Sequence, residues 1–181
     1  MVNPAGGPFL FDTSAESWLG RSERPEVRQW MREYLFHHEI HISAITVLER
    51  IRGYALLWRR AEAVNRESIE AARVAYLGNL GKIEPLDGAA AVVAGEIMAL
   101  IPEPPTPPRR SHQLMESRQE RLVRWRFDGM IAATALITRL TLIHNNAGDF
   151  EAIRGAIERA PERFPSLGPL ELIRCGSLTS A

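Results

Sequence analysis

The sequence of 181 residues has one cysteine, Cys175, one lysine, Lys82, and a formal net charge of zero. A single cysteine excludes an internal disulfide, so nothing in the chain calls for an oxidising compartment. With 22 basic against 22 acidic residues, any affinity for nucleic acid has to come from a local patch rather than from global charge. No apolar run approaches the ~20 residues that span a bilayer. The N-terminus has no basic segment followed by a long apolar stretch, so no signal peptide is expected. These absences point to a cytoplasmic protein with no membrane role. Ser43 and Ser111 have no glycine-flanked elbow around them and are poor candidates for a nucleophile. No glycine loop of the phosphate-cradling kind is present, which weakens a phosphatase reading.

What is present is the mix of a globular domain, 45% hydrophobic and 24% charged. Pro8-Phe9-Leu10-Phe11 reads as a buried strand ending in a helix-capping turn at Asp12-Thr13-Ser14. Helical spacing runs from Glu26 to Phe36, Glu39–Thr46 reads as a second strand, and Val47–Trp58 and Ala61–Leu80 read as helix. Ile83–Leu86 is a third strand, and Asp87 caps a helix from Gly88 to Ile101. Pro102–Pro108 cannot be helical and leads into an arginine-rich stretch to Arg126. Asp128 is expected to open a helix through Leu140. Thr141–Asn145 follows as a strand, Phe150–Arg159 as a helix and Leu170–Arg174 as a last strand. This alternation predicts an α/β fold, a three-layer α/β/α sandwich around a mostly parallel sheet of about five strands. The whole chain, 1–181, is expected to form one domain, with a Pro/Arg-rich excursion at about 102–126.

In such sheets functional groups gather beyond the carboxyl ends of the strands. Asp12 ends the first strand, Glu49 lies on the helix after the second, and Asp149 follows the fourth. Asp128, placed at a helix amino end, would be favoured there by the helix dipole. Four carboxylates brought together repel one another, and Mg²⁺ or Mn²⁺, which prefer oxygen ligands, would relieve that repulsion. Taken singly, Asp12 and Asp128 also read as plain helix caps, and Glu49 as a solvated helix residue.

The residues around these acids resemble a known family. Leu10-Phe11-Asp12-Thr13-Ser14 is similar to the opening motif of PIN-domain nucleases. Ile42–Glu49, with Thr46 three residues before the Glu, is similar to the second motif. Phe127-Asp128-Gly129-Met130-Ile131-Ala132-Ala133-Thr134-Ala135 matches the third closely. Leu142–Phe150, with Asn146 three residues before Asp149-Phe150, resembles the fourth. Order and spacing agree from about Phe9 to Phe150.

The resemblance implies a Mg²⁺- or Mn²⁺-dependent endoribonuclease of the kind that forms the toxin of VapBC toxin–antitoxin pairs. Asp12, Glu49, Asp128 and Asp149 then take the metal-site and catalytic roles, supported by Thr13 or Ser14, Thr46 and Asn146. An RNA substrate, a cognate antitoxin and a homodimer are the implied partners, with the early helices as the expected docking region. Two features depart from the family's pattern: His144 stands where Thr or Ser is usual, and the segment from Pro102 to Arg126 is longer than the usual short turn.

The arginines of that segment, Arg109, Arg110, Arg118, Arg121, Arg124 and Arg126, could lead an RNA backbone toward the acids through phosphate contacts, with Trp125 stacking on a base. They also fit a solvated helix face with Glu116 and Glu120 as partners. His37, His38 and His41 have no neighbouring cysteine and give little support for zinc. The alternative to a nuclease is a non-catalytic PIN-fold scaffold acting through protein or DNA binding.

Overall fold

A computed structural model describes residues 1–105, 107, 110–111 and 114–179, with the side chains of residues 110, 111, 114 and 115 outside that description. The short strand Phe9–Phe11 (β1) is buried on both faces, which is why it reads as an unbroken apolar run rather than an alternating one. Successive side chains still point opposite ways. Phe9 and Phe11 pack in a layer with Val27, Trp30 and Tyr34, while Leu10 packs in the opposite layer with Ile97, Trp125 and Phe150.

Around β1 lie His41–Ser43 (β2), Lys82–Glu84 (β3), Thr141–His144 (β6) and Leu172–Arg174 (β7). They form one five-stranded sheet in the order β3-β2-β1-β6-β7, parallel throughout. Arg110–Ser111 (β4) and Leu114–Met115 (β5) make a separate antiparallel ribbon. The helices are Thr13–Arg21 (α1), Pro25–His37 (α2), Ala44–Arg60 (α3), Ala63–Gly78 (α4), Gly88–Leu100 (α5), Arg118–Thr138 (α6) and Ala147–Arg159 (α7). Apolar residues of α1 and α2 cover one sheet face, and those of α5, α6 and α7 cover the other. The result is the α/β/α sandwich expected of the sequence. No helix among the described residues is long and apolar enough to cross a membrane.

Several boundaries differ from the sequence reading. The second strand stops at Ser43, because the Ser43 hydroxyl accepts the Thr46 amide at 3.0 Å and starts α3; Ile42, Ile45 and Thr46 look β-like on propensity alone. Helix breaks at Ala61–Glu62, dividing α3 from α4. The largest correction concerns Asp128, which does not open a helix. α6 begins ten residues earlier at Arg118, behind a complete Ser117–Glu120 capping box. Asp128 therefore sits in a helix interior, and the helix dipole does not stabilise its charge.

Chain order sets up the site. From the central β1 the chain moves outward through β2 and β3, then returns to β6 on the other side of β1. That reversal is a topological switch point, and a crevice forms there beyond the strand ends.

Candidate metal centre

Asp12 leaves β1 at the switch point. Its amide donates to the Ile143 carbonyl of β6 at 3.0 Å, so the sheet itself fixes its backbone. Its carboxylate caps α1, accepting from the Ala15 amide at 2.5 Å and from the Ser14 hydroxyl at 2.7 and 3.0 Å. The simple cap and the candidate ligand are thus the same side chain. Thr13, one residue on, donates its hydroxyl to Glu49 of α3, tying the second motif to the first. Thr46 is fully buried and lies 3.1 Å from the Ser43 hydroxyl, within the α3 cap.

Asp128 comes from the other side, on a stretch of α6 where Gly129, Ala132, Ala133 and Ala135 are all buried. Small side chains let this helix lie close to the sheet and carry the carboxylate inward. Asp149 stands in the first turn of α7, fully buried, where the helix amino end favours a negative charge. Asn146, just before α7, donates one side-chain nitrogen to Asp128 at 2.9 Å and to Asp149 at 2.6 Å.

Burial pushes the Asp128 carboxyl well above the usual carboxylate range, and the nearby charges of Asp149, Glu49 and Asp12 push the same way, against Arg124. All four predicted acids therefore share one electrostatic neighbourhood. Arg124, one turn before Asp128 on the same helix face, ion-pairs with Asp149 and lies 4.0 Å from Asp128. Its other edge is gripped by Glu116 at 2.9 and 3.1 Å. Burial disfavours the charge on Arg124, but Glu116, Asp149 and Asp128 outweigh it and leave the guanidinium more basic than usual.

Donor chemistry here suits a hard divalent cation: carboxylate oxygens, buried and mutually repelling, with a side-chain amide orienting two of them. Among the described residues, no three acidic, His or Cys side chains are placed to hold an ion as they stand. A divalent ion would have to draw the carboxylates together.

The rest of the predicted constellation separates. Trp125 is not a base-stacking platform: it is buried in the core, with its indole nitrogen donating to the Ile101 carbonyl at 2.9 Å. Arg118 pairs with Glu103 on the surface, Arg121 donates to the Pro104 carbonyl, and Arg126 is exposed. Arg109 and His112 lie outside the described residues, and for Arg110 only the backbone is described. His41 is buried against Glu84 at 2.8 Å, while His37 is exposed and His38 is half-buried against Tyr34, so the three histidines do not converge.

Sequence reasoning offered Glu116 as a partner for these arginines but missed the inward reach of Arg124 to Asp149. The Arg124-x-x-x-Asp128 spacing was the available signal. His144 is fully buried beside Phe150, and among the described residues its ring nitrogens have no hydrogen-bond partner. Burial first, then the Arg174 charge, lower its pKa to about 4. Burial, with Asp12 adding to it, raises the Cys175 thiol to about 12, so that thiol is unreactive at neutral pH.

Residues 9–156 match the model of the PIN domain. The chain belongs to the PIN-domain family. No curated protein matches it by sequence. Among solved structures, the PIN chain is similar to a structure of VapBC2 from Rickettsia felis bound to a DNA fragment from their promoter. That likeness has a TM-score of 0.56 at 15% identity and covers 92% of this chain and 97% of the other. It is also similar to a structure of FitAB bound to an IR36 DNA fragment, with a TM-score of 0.53, 22% identity and coverage of 93% and 95%. A third likeness is to FitAcB from Neisseria gonorrhoeae, with a TM-score of 0.50, 23% identity and coverage of 81% and 93%. At these identities the likeness speaks for the fold.

Proposed function

We propose that this PIN-domain chain is a Mg²⁺- or Mn²⁺-dependent endoribonuclease, acting as one domain and serving as the toxin of a toxin–antitoxin pair. The observation that carries the reading is the buried, mutually repelling set of Asp12, Asp128 and Asp149 at the switch point of a parallel sheet. Gathering buried carboxylates of like charge is costly, and a nuclease has a use for them. Bound there, Mg²⁺ or Mn²⁺ supplies the Lewis acidity that makes water nucleophilic near neutral pH.

Asp12 and Asp128 would hold the cation directly, and Glu49 and Asp149 would complete the charge set. Asn146 orients Asp128 and Asp149, Thr13 pins Glu49, and Ser14 pins Asp12. Arg126, with Arg109 and Arg110, would contact RNA phosphates and add affinity without sequence preference.

The toxin reading draws on the family and on the neighbours of this fold, which are structures of toxin–antitoxin complexes. Leu57, Trp58, Val64, Val74 and Leu77 of α3 and α4 are exposed, and apolar surface of that extent suits an antitoxin or a second copy. A non-catalytic scaffold is favoured by one observation, the Arg124–Asp149 ion pair, which compensates part of the acidic charge without an ion. Purified protein incubated with labelled total RNA and Mn²⁺ tests the choice. Discrete fragments that disappear with EDTA support the nuclease; intact RNA, with no Mn²⁺ binding by the folded protein, supports the scaffold.

A further inference from the structure

The Arg124 guanidinium is held at both edges, and the two holds differ. On its outer edge, Nε and Nη2 make a two-pronged contact with the Glu116 carboxylate at 2.9 and 3.1 Å. On its inner edge, Nη1 reaches the acids, bonding Asp149 Oδ2 and lying 4.0 Å from Asp128 Oδ2. The Arg124 and Glu116 side chains retain only 14% and 13% of their exposure, so the contact is sheltered from solvent screening. Asp149 Oδ2 accepts from both Arg124 and Asn146. An sp² carboxylate oxygen has two lone pairs, so both are directed at donors. An ion approaching Asp149 through this oxygen must displace one of them.

We propose that Arg124 competes with the divalent cation for Asp149, and so sets the cation concentration at which the site fills. Loading moves Nη1 off Asp149 while Glu116 keeps the outer edge in place, so the guanidinium stays at the rim of the site. The exchange is a two-position movement of one side chain, with Glu116 as its pivot. A doubly charged ion and a guanidinium repel at this range, which makes the two occupancies antagonistic. Opposing a cation through a shared site is reciprocal coupling, so removing Arg124 must strengthen cation binding. This inference rests on the metal-site reading above and adds a role for a residue outside the four acids.

The test is calorimetric titration of the full chain with Mn²⁺, comparing wild type with Arg124→Gln and Arg124→Lys. Arg124→Gln is expected to bind Mn²⁺ about tenfold more tightly than wild type. Arg124→Lys, which keeps the charge but not the fork, should stay within about threefold of wild type. In EDTA, Arg124→Gln should melt below wild type, because Glu116 and Asp149 lose a buried partner, and saturating Mn²⁺ should close that gap. Nitrogen-15 NMR of wild type with Mg²⁺ reads the unaltered site directly. The Arg124 Nη signals, assigned by their loss in Arg124→Lys, should shift while the Nε–H held by Glu116 does not. Equal or weaker Mn²⁺ binding by folded Arg124→Gln, or Nη signals that ignore bound Mg²⁺, overturns the competition and leaves the nuclease reading standing. No binding of either cation by folded wild type and variant overturns both.

Discussion

One side-chain nitrogen of Asn146 donates to Asp128 at 2.9 Å and to Asp149 at 2.6 Å, joining a carboxylate on α6 to one on α7. Neither helix fixes the spacing of those acids by itself. Asn146→Ala should therefore weaken Mn²⁺ binding by about tenfold or more, the usual cost of losing an outer-shell partner. Calorimetric titration checks it, with circular dichroism confirming the fold. Unchanged affinity would mean the bridge does not organise the site.

Asp128 makes a stability prediction with a definite sign. Its folded-state pKa is raised above the ordinary value of 3.8. As pH rises from that value through the raised one, the unfolded chain releases the proton first, and stability falls. Above the window the loss is complete. In EDTA at pH 8, Asp128→Asn should then melt higher than wild type, by at least about 2 °C, the shift ~1 kcal/mol produces in a domain of this size. Saturating Mn²⁺ should reverse the order, since a ligand at 100 times its Kd adds about 2.7 kcal/mol to the protein that binds it. Thermal melts in the two buffers decide it.

His144 predicts the opposite slope on the acid side. With a folded pKa of about 4 against an ordinary 6.5, the unfolded chain takes up a proton first as pH falls. Stability present above 6.5 is lost across that window. At 1.36 kcal/mol per pH unit, the loss amounts to about 3 kcal/mol. His144→Leu removes two buried nitrogens that have no partner among the described residues and should lie within about 1.5 kcal/mol of wild type at pH 7.5. It should then gain on wild type steadily down to pH 4.5. Denaturant unfolding at several pH values reads the difference.

Trp125 is fully buried, with its indole nitrogen on the Ile101 carbonyl. Trp125→Phe should cost about 1–3 kcal/mol, through the unsatisfied carbonyl and the lost volume. RNA affinity of the folded variant should stay unchanged. A drop in RNA affinity without a drop in stability would restore Trp125 to the interface.

The fold was legible because the centre of the sheet is covered on both faces: β1 and the middle of β6 appear as apolar runs, and the helices between the strands keep their spacing. Asp12 could be placed because it follows the end of β1 directly, and Asp149 because it falls in the first turn of the helix after β6. Asp128 was harder. The arginines before it suggested an exposed segment, although Leu122 and Trp125 continue the apolar spacing and Ser117–Glu120 marks the true start of α6. Arg124 was weighed as one of a surface group, since a charged side chain turned inward leaves no mark in periodicity. Its role depends on Glu116 and Asp149, and the Asp149 contact crosses from α6 to α7.

Single-turnover cleavage of an RNA substrate in Mn²⁺ by wild type and by folded Asp128→Asn tests the central claim most directly. The account predicts that the substitution removes cleavage, by about 100-fold or more, while the variant retains its cooperative melt. Cleavage by folded Asp128→Asn at the wild-type rate would contradict it and place the chemistry elsewhere.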